Sequence, residues 1–168
     1  MGQMANADEM AIYLDMPPNY KLEKKGVKDV LLKTTGCEKH RLTVMLAATA
    51  DGRKLPPLLI LKRKTLPKSE AFPKEVIVRA HEKGWMTEKL MLEWLKIVWG
   101  RRTRAFFNQL SMLVLHAFKG HLTDTVKNQL RKMNTELVVI PSGMISVLQP
   151  MDVSINKPFK DRLRQTIP

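Results

Sequence analysis

The sequence predicts an α/β fold, a mixed sheet with helices on its faces. Three observations carry this. Period-two alternation of apolar and polar residues marks strands in the first 80 residues. The dipeptide Asp51-Gly52 is a strong hairpin turn signal between two of them. From Thr87 onward, segments at helical spacing alternate with short apolar runs, the pattern of helices covering a sheet.

The elements follow in order. Asn6 to Asp15 alternate strictly, so Asp8, Met10, Ile12 and Leu14 share one face of a first strand, which Pro17-Pro18 ends. Residues 19–29 are basic and irregular, and Val30 to Lys33 read as a short strand. Leu42 to Ala50 form a second clear strand and Leu55 to Leu61 its hairpin partner. Pro56-Pro57 make that partner an edge strand or delay its start. Val76 to Arg79 are a further short strand.

Thr87 opens a helix whose stripe is Leu90, Met91, Trp94, Leu95 and Val98. Gly100 and the basic Arg101, Arg102 and Arg104 suit its carboxyl end. Residues 105–110 read as a linker or a frayed extension of that helix. Met112 to Leu115 are continuously apolar, as in a strand covered on both faces, and His116 closes it. Thr123 is the expected N-cap of a helix carrying Val126, Leu130 and Met133. Leu137 to Ile140 are another short strand. From Pro150 the pattern is helical again, with Pro158 as a kink or a fresh start. Trp85, Trp94 and Trp99 are expected in the core.

Length and charge bound the function. The 168 residues suit one domain, since typical domains hold roughly 100–150. Lys and Arg exceed Asp and Glu by 29 − 16 = 13 charges, which favours a polyanionic partner. No apolar run reaches the ~18 residues of a membrane span, and the basic residues do not gather on one amphipathic helix, so an anionic membrane is the weaker alternative and no membrane partner is expected. Cys37 is the single cysteine, which excludes an internal disulfide and a Cys-based zinc knuckle and fits cytosol or nucleus.

Three positions stand out chemically. Asp8 is a carboxylate on an apolar strand face, costly to bury unless paired, metal-bound or open to solvent. Asp152 opens the last helix, where it can cap free N–H groups. His116 sits at the carboxyl end of a buried strand, where functional groups of α/β sheets gather, although a lone histidine there is more often structural. His121 reads as structural. No Gly-rich phosphate loop, His-Glu-x-x-His pair or Ser–His–Asp set is present.

These residues carry a resemblance. Asn6-Ala7-Asp8-Glu9-Met10 resembles the first catalytic strand of pogo/Tigger-type DDE transposases. Leu113 to His121 resembles their second catalytic strand and turn. Ser146-Val147-Leu148-Gln149-Pro150-Met151-Asp152-Val153-Ser154-Ile155-Asn156-Lys157-Pro158-Phe159-Lys160 resembles their third motif, the most specific of the three. Asp51-Gly52 and Pro56-Pro57 also recur in that family.

The resemblance implies a ribonuclease-H-like fold in which three carboxylates hold two Mg²⁺ ions for DNA cleavage and strand transfer. Asp8 would be the first acid and Asp152 the third. The chain departs at the second, where the family's Asp is replaced by His116. Imidazole suits zinc, copper or nickel better than Mg²⁺, and Asp124 lies too far along to be an easy substitute. The expectation is a transposase-derived, DNA-binding domain over residues 1–168, impaired in catalysis and lacking the family's N-terminal helix-turn-helix domains. An active endonuclease and a non-catalytic interaction module stay open as alternatives. The resemblance also implies nuclear residence and a homodimer.

Basic residues supply candidate DNA contacts. Lys62, Arg63 and Lys64 form one cluster and Lys157, Lys160, Arg162 and Arg164 another on the last helix. Lys21, Lys24, Lys25 and Lys28 form a third, and Lys68 extends the first. The alternative for each is a solvated face.

Overall fold

The computed structural model describes residues 3–13, 25, 41–67, 70–103, 105–107 and 109–166. Six strands form one sheet: β1 (Met4–Tyr13), β2 (Arg41–Thr49), β3 (Leu58–Lys62), β4 (Ile77–His81), β5 (Ser111–His116) and β6 (Thr135–Ile140). The helices are α1 (Glu88–Ile97), α2 (Asp124–Lys132), the single turn α3 (Ile145–Leu148) and α4 (Asn156–Thr166). A wider π turn, Met151–Ile155, leads directly into α4.

Strand order across the sheet is β4-β3-β2-β1-β5-β6. β1, β2 and β3 pair antiparallel, whereas β4, β5 and β6 join parallel to their neighbours. This is the mixed sheet the sequence predicts. β1 lies inside it, and both its faces are covered. Ala5 and Ala7 point into the main core with Met45, Leu113 and the α1 stripe of Leu90, Met91, Trp94 and Leu95. Met10 and Ile12 face the other way and pack with Val44 under Phe159 and Leu163 of α4. Helices therefore cover both faces, α1 and α2 one, α4 the other.

Local chemistry explains the ends. Thr87 caps α1 by accepting from the Leu90 N–H, and Thr123 caps α2 by accepting from Val126 N–H. At the end of α2 the chain reverses through Asn134 at φ 48°, a conformation Asn tolerates.

Several expectations change. The Asp51-Gly52 turn does reverse the chain, with Gly52 at φ 85° and its N–H donating to Thr49 O at 2.9 Å. The partner strand, however, starts late, at Leu58, because Pro56 and Pro57 lack the donor a ladder needs. It is no edge strand, since β4 pairs on its far side. β4 runs two residues beyond Arg79. β5 is not equally covered on both faces: Ser111, Leu113 and Leu115 are buried, but Met112, Val114 and His116 are only half-buried. The linker contains a 3-10 turn, Ala105–Phe107. Trp94 and Trp99 are core, but Trp85 is 51% exposed with Arg41 stacked 5.0 Å from its ring. Arg102 folds back over Trp99, its guanidinium 3.7 Å from that ring, and donates to the Trp99 carbonyl. Pro158 is not a fresh start: it lies in the first turn of α4, and the helical course runs into it directly from the π turn Met151–Ile155, the kind of wider turn that accompanies a proline-induced bend. Leu14, Asp15, Pro17, Pro18, Lys21, Lys24, Lys28, Val30 to Lys33, Cys37, Lys68 and Arg104 lie outside the described residues.

Candidate functional site

The parallel pairing of β1 with β5 sets the site. The ladder ends with Asn6 level with Val114, and two residues on along each strand the side chains of Asp8 and His116 meet. The chain then returns to that face from β6. Asn6 Nδ2 donates to Val114 O and to Gln149 Oε1, both at 3.0 Å. Gln149 Nε2 donates to Ala7 O at 3.2 Å, and Met151 N–H donates to Asn6 Oδ1 at 3.2 Å. Gln149 is fully buried, so this polar lattice is dry and its geometry is fixed. It fastens residues 149–151 against β1 and swings Asp152 and Asn156 over Asp8.

Asn156 is the hinge of the cluster. Its Nδ2 donates to Asp8 Oδ2 at 2.8 Å and to Asp152 Oδ1 at 2.7 Å. Asp8, His116 and Asp152, far apart in sequence, thus belong to one cluster. Asp8 is 4% exposed, yet none of its described partners is Lys or Arg. His116 Nδ1 lies 3.0 Å from Asp8 Oδ1, without the alignment of a regular hydrogen bond. The Asp8 carboxylate holds the His116 imidazole above the ordinary histidine range. Burial opposes this, and the charges of Glu9, Asp8 and Asp152 reinforce it.

Two partners escape sequence reasoning. Glu9 points to the opposite face from Asp8, and its Oε1 lies 2.6 Å from Nε2 of the fully buried His121. Glu9 Oε2 is also 3.8 Å from His116 Nδ1. No local pattern links positions separated by over a hundred residues. Asn156 had a signal: Asp152 and Asn156 are spaced i, i+4, which stacks them on one face of a helical segment. Asp152 does lie in the first turn of a helical segment, the π turn Met151–Ile155, but no side-chain cap hydrogen bond closes that turn, and its Oδ1 accepts from Asn156 instead. Asp124 is exposed at the start of α2 and joins no such cluster.

The basic residues divide by position. β3 runs in the direction of β1, so Lys62, Arg63 and Lys64 lie at the sheet end toward which β1 and β5 point. All three are exposed, with Arg63 3.9 Å from Glu70. On α4, Lys157 and Arg162 are exposed, Lys160 is half-buried, and Arg164 pairs with Asp161 at 2.7 Å.

Residues 39–167 match the DDE superfamily endonuclease family, a stretch that includes His116 and Asp152 and begins after Asp8. The chain is 48% identical over 164 residues to the human pogo transposable element with KRAB domain, covering 98% of this chain and 27% of that protein. The mouse counterpart is 47% identical over 164 residues. The human pogo transposable element with ZNF domain is 30% identical over 158 residues, 94% of this chain and 11% of that protein. The chain thus spans about a quarter or less of the curated relatives it matches. Among solved structures, the pre-cleavage Mos1 transpososome superposes with a TM-score of 0.62 at 11% identity, over 96% of this chain and 43% of the Mos1 chain. The Mos1 mariner paired-end complex with Mn superposes with a TM-score of 0.60 at 12% identity, over 99% of this chain and 48% of that one. The fold is therefore the ribonuclease-H-like fold shared with Mos1.

Proposed function

The chain belongs to the DDE superfamily endonuclease family, and on that premise we propose that it is a transposase-derived, DNA-binding domain impaired in Mg²⁺-dependent strand cleavage. The observation that carries the proposal is the imidazole of His116 at 3.0 Å from Asp8 Oδ1, in the seat where the resemblance calls for an acid.

The residues present do not fit two Mg²⁺ ions. Mg²⁺ wants hard oxygen donors in near-octahedral array. Here one Asp8 oxygen faces an imidazole held toward its cationic form, and the other accepts from Asn156. Asp152 gives the same amide one of its own oxygens. A bridging carboxylate is replaced by a ring that adds no negative charge between two dications. Loss of such a ligand costs several kcal/mol of transition-state stabilisation, at about 1.4 kcal/mol per decade of rate.

DNA as the partner is supported by the net charge of +13 and by the solvent-facing cations Lys157 and Arg162 on α4, with half-buried Lys160, and Lys62, Arg63 and Lys64 at the sheet end. The Mos1 neighbours are transpososome and paired-end complexes, which agrees with this partner. Such contacts meet phosphates and are blind to sequence. Nuclear residence and a homodimer belong to the same reading. Fluorescence anisotropy with labelled duplexes of unrelated sequence tests it. Affinity should be similar for all of them and fall steeply from ~50 to ~200 mM salt. Lys160→Glu with Arg162→Glu should weaken binding to all duplexes alike. Absence of binding at ~50 mM salt would favour a protein-interaction module instead.

A further inference from the structure

We propose that Glu9, His116 and His121 form a binding site for a borderline transition-metal dication, Zn²⁺ before any other, a donor set that shares His116 with the Asp8–Asp152 cluster and lies on its Glu9 side. Their donor atoms all lie within 4.8 Å of one another. His121 Nε2 is 2.6 Å from Glu9 Oε1, and His116 Nδ1 is 3.8 Å from Glu9 Oε2. Donors in a tetrahedral Zn²⁺ shell at ~2.1 Å from the metal are about 3.4 Å apart, which falls between these two separations. Two imidazoles and one carboxylate are the donor chemistry that selects Zn²⁺ over Mg²⁺.

Burial and charge support the site. His121 is fully buried and Glu9 nearly so, which holds two of the three donors in place. His116, with its side chain 19% exposed, is the arm with room to adjust, and its Nδ1 has no aligned hydrogen-bond partner. Asp8 sits 3.0 Å from that nitrogen, so a second carboxylate adds its charge beside the donors. The described polar contacts of Asp8 and Glu9 are imidazoles and an amide, so neither carboxylate is paired with a described Lys or Arg. Glu9 and His116 also line a cavity of about 280 Å³ with Arg41, Trp85 and Phe118. That cavity gives Glu9 and His116 a route to solvent, as an entry path for an ion requires.

This inference stands whether or not the domain binds DNA. The test uses the whole 168-residue chain, stripped with a chelator. Calorimetry with Zn²⁺ alone should give one ion per chain, undiminished by excess Mg²⁺. Co²⁺ should give the visible absorption bands of a low-coordinate nitrogen–oxygen site. His116→Asn and Glu9→Gln should each lower Zn²⁺ affinity by more than ~10-fold, the lower bound for losing even an outer-shell partner. Cys37→Ser should leave it unchanged. If Glu9→Gln fails to fold, the His116→Asn comparison and the wild-type Co²⁺ spectrum decide. No Zn²⁺ uptake, wild-type affinity in His116→Asn, or loss of binding in Cys37→Ser overturns the proposal.

Discussion

Asn156 is where a single side chain holds the most. It donates to two carboxylates at once, one of them 4% exposed. Asn156→Leu keeps the volume but leaves Asp8 and Asp152 facing each other without the amide. Hydrogen bonds to charged groups contribute about 1.5–3 kcal/mol, so unfolding free energy should drop by about that much. Urea denaturation of the two proteins measures it, and a change under about 0.5 kcal/mol would mean the amide is not holding the carboxylates together. Gly84 makes a steric prediction. It has φ 65°, its carbonyl accepts from Thr43 Oγ1, and an added Cβ would sit 2.9 Å from Lys62 Cβ. Gly84→Ala should therefore lower the midpoint in the same assay by more than an exposed-loop substitution does.

Between elements, the tie of α1 to β4 has a pH signature. Arg79 Nε donates to Glu93 Oε1 at 2.8 Å, and this guanidinium holds the Glu93 carboxyl below the usual range. A depressed carboxyl adds stability that is complete above its unfolded pKa and fades as pH falls through the folded value. Glu93→Gln should thus be less stable than wild type at neutral pH, and the gap should close in acid. Thermal melts across that range check it; a gap that is constant with pH would remove the ion pair from the account. Thr87→Ala should cost about 1 kcal/mol through loss of the α1 cap. The elements themselves were open to sequence reasoning because Thr87, Thr123 and the Leu90-to-Val98 stripe act through near neighbours. What escaped it was tertiary. The buried small residues Ala5 and Ala7 carry almost no hydrophobic signal, so covering on both faces of β1 was hidden. Trp85 reads as core by type, but the fold leaves it on the surface under Arg41. Asp8, His116 and Asp152 were named from motifs, whereas Glu9 and His121 meet only once β1 and the turn after β5 are packed.

At the scale of the whole molecule, the ribonuclease-H-like sheet brings acids from β1 and the π turn to the end of β5, and the sequence there supplies an imidazole. The same scaffold presents cations on α4 and at the end of β3. On the proposed function these two features separate: holding DNA would need only the charge, whereas cutting it would need a full set of oxygen donors. The most direct test is a nicking assay on supercoiled DNA with the purified wild-type chain and Mg²⁺, beside calorimetry of Mg²⁺ binding to wild type and His116→Asp. The account predicts no Mg²⁺-dependent nicking by wild type and tighter Mg²⁺ binding by His116→Asp. Efficient nicking by the wild-type chain, or Mg²⁺ binding unchanged by His116→Asp, would contradict it.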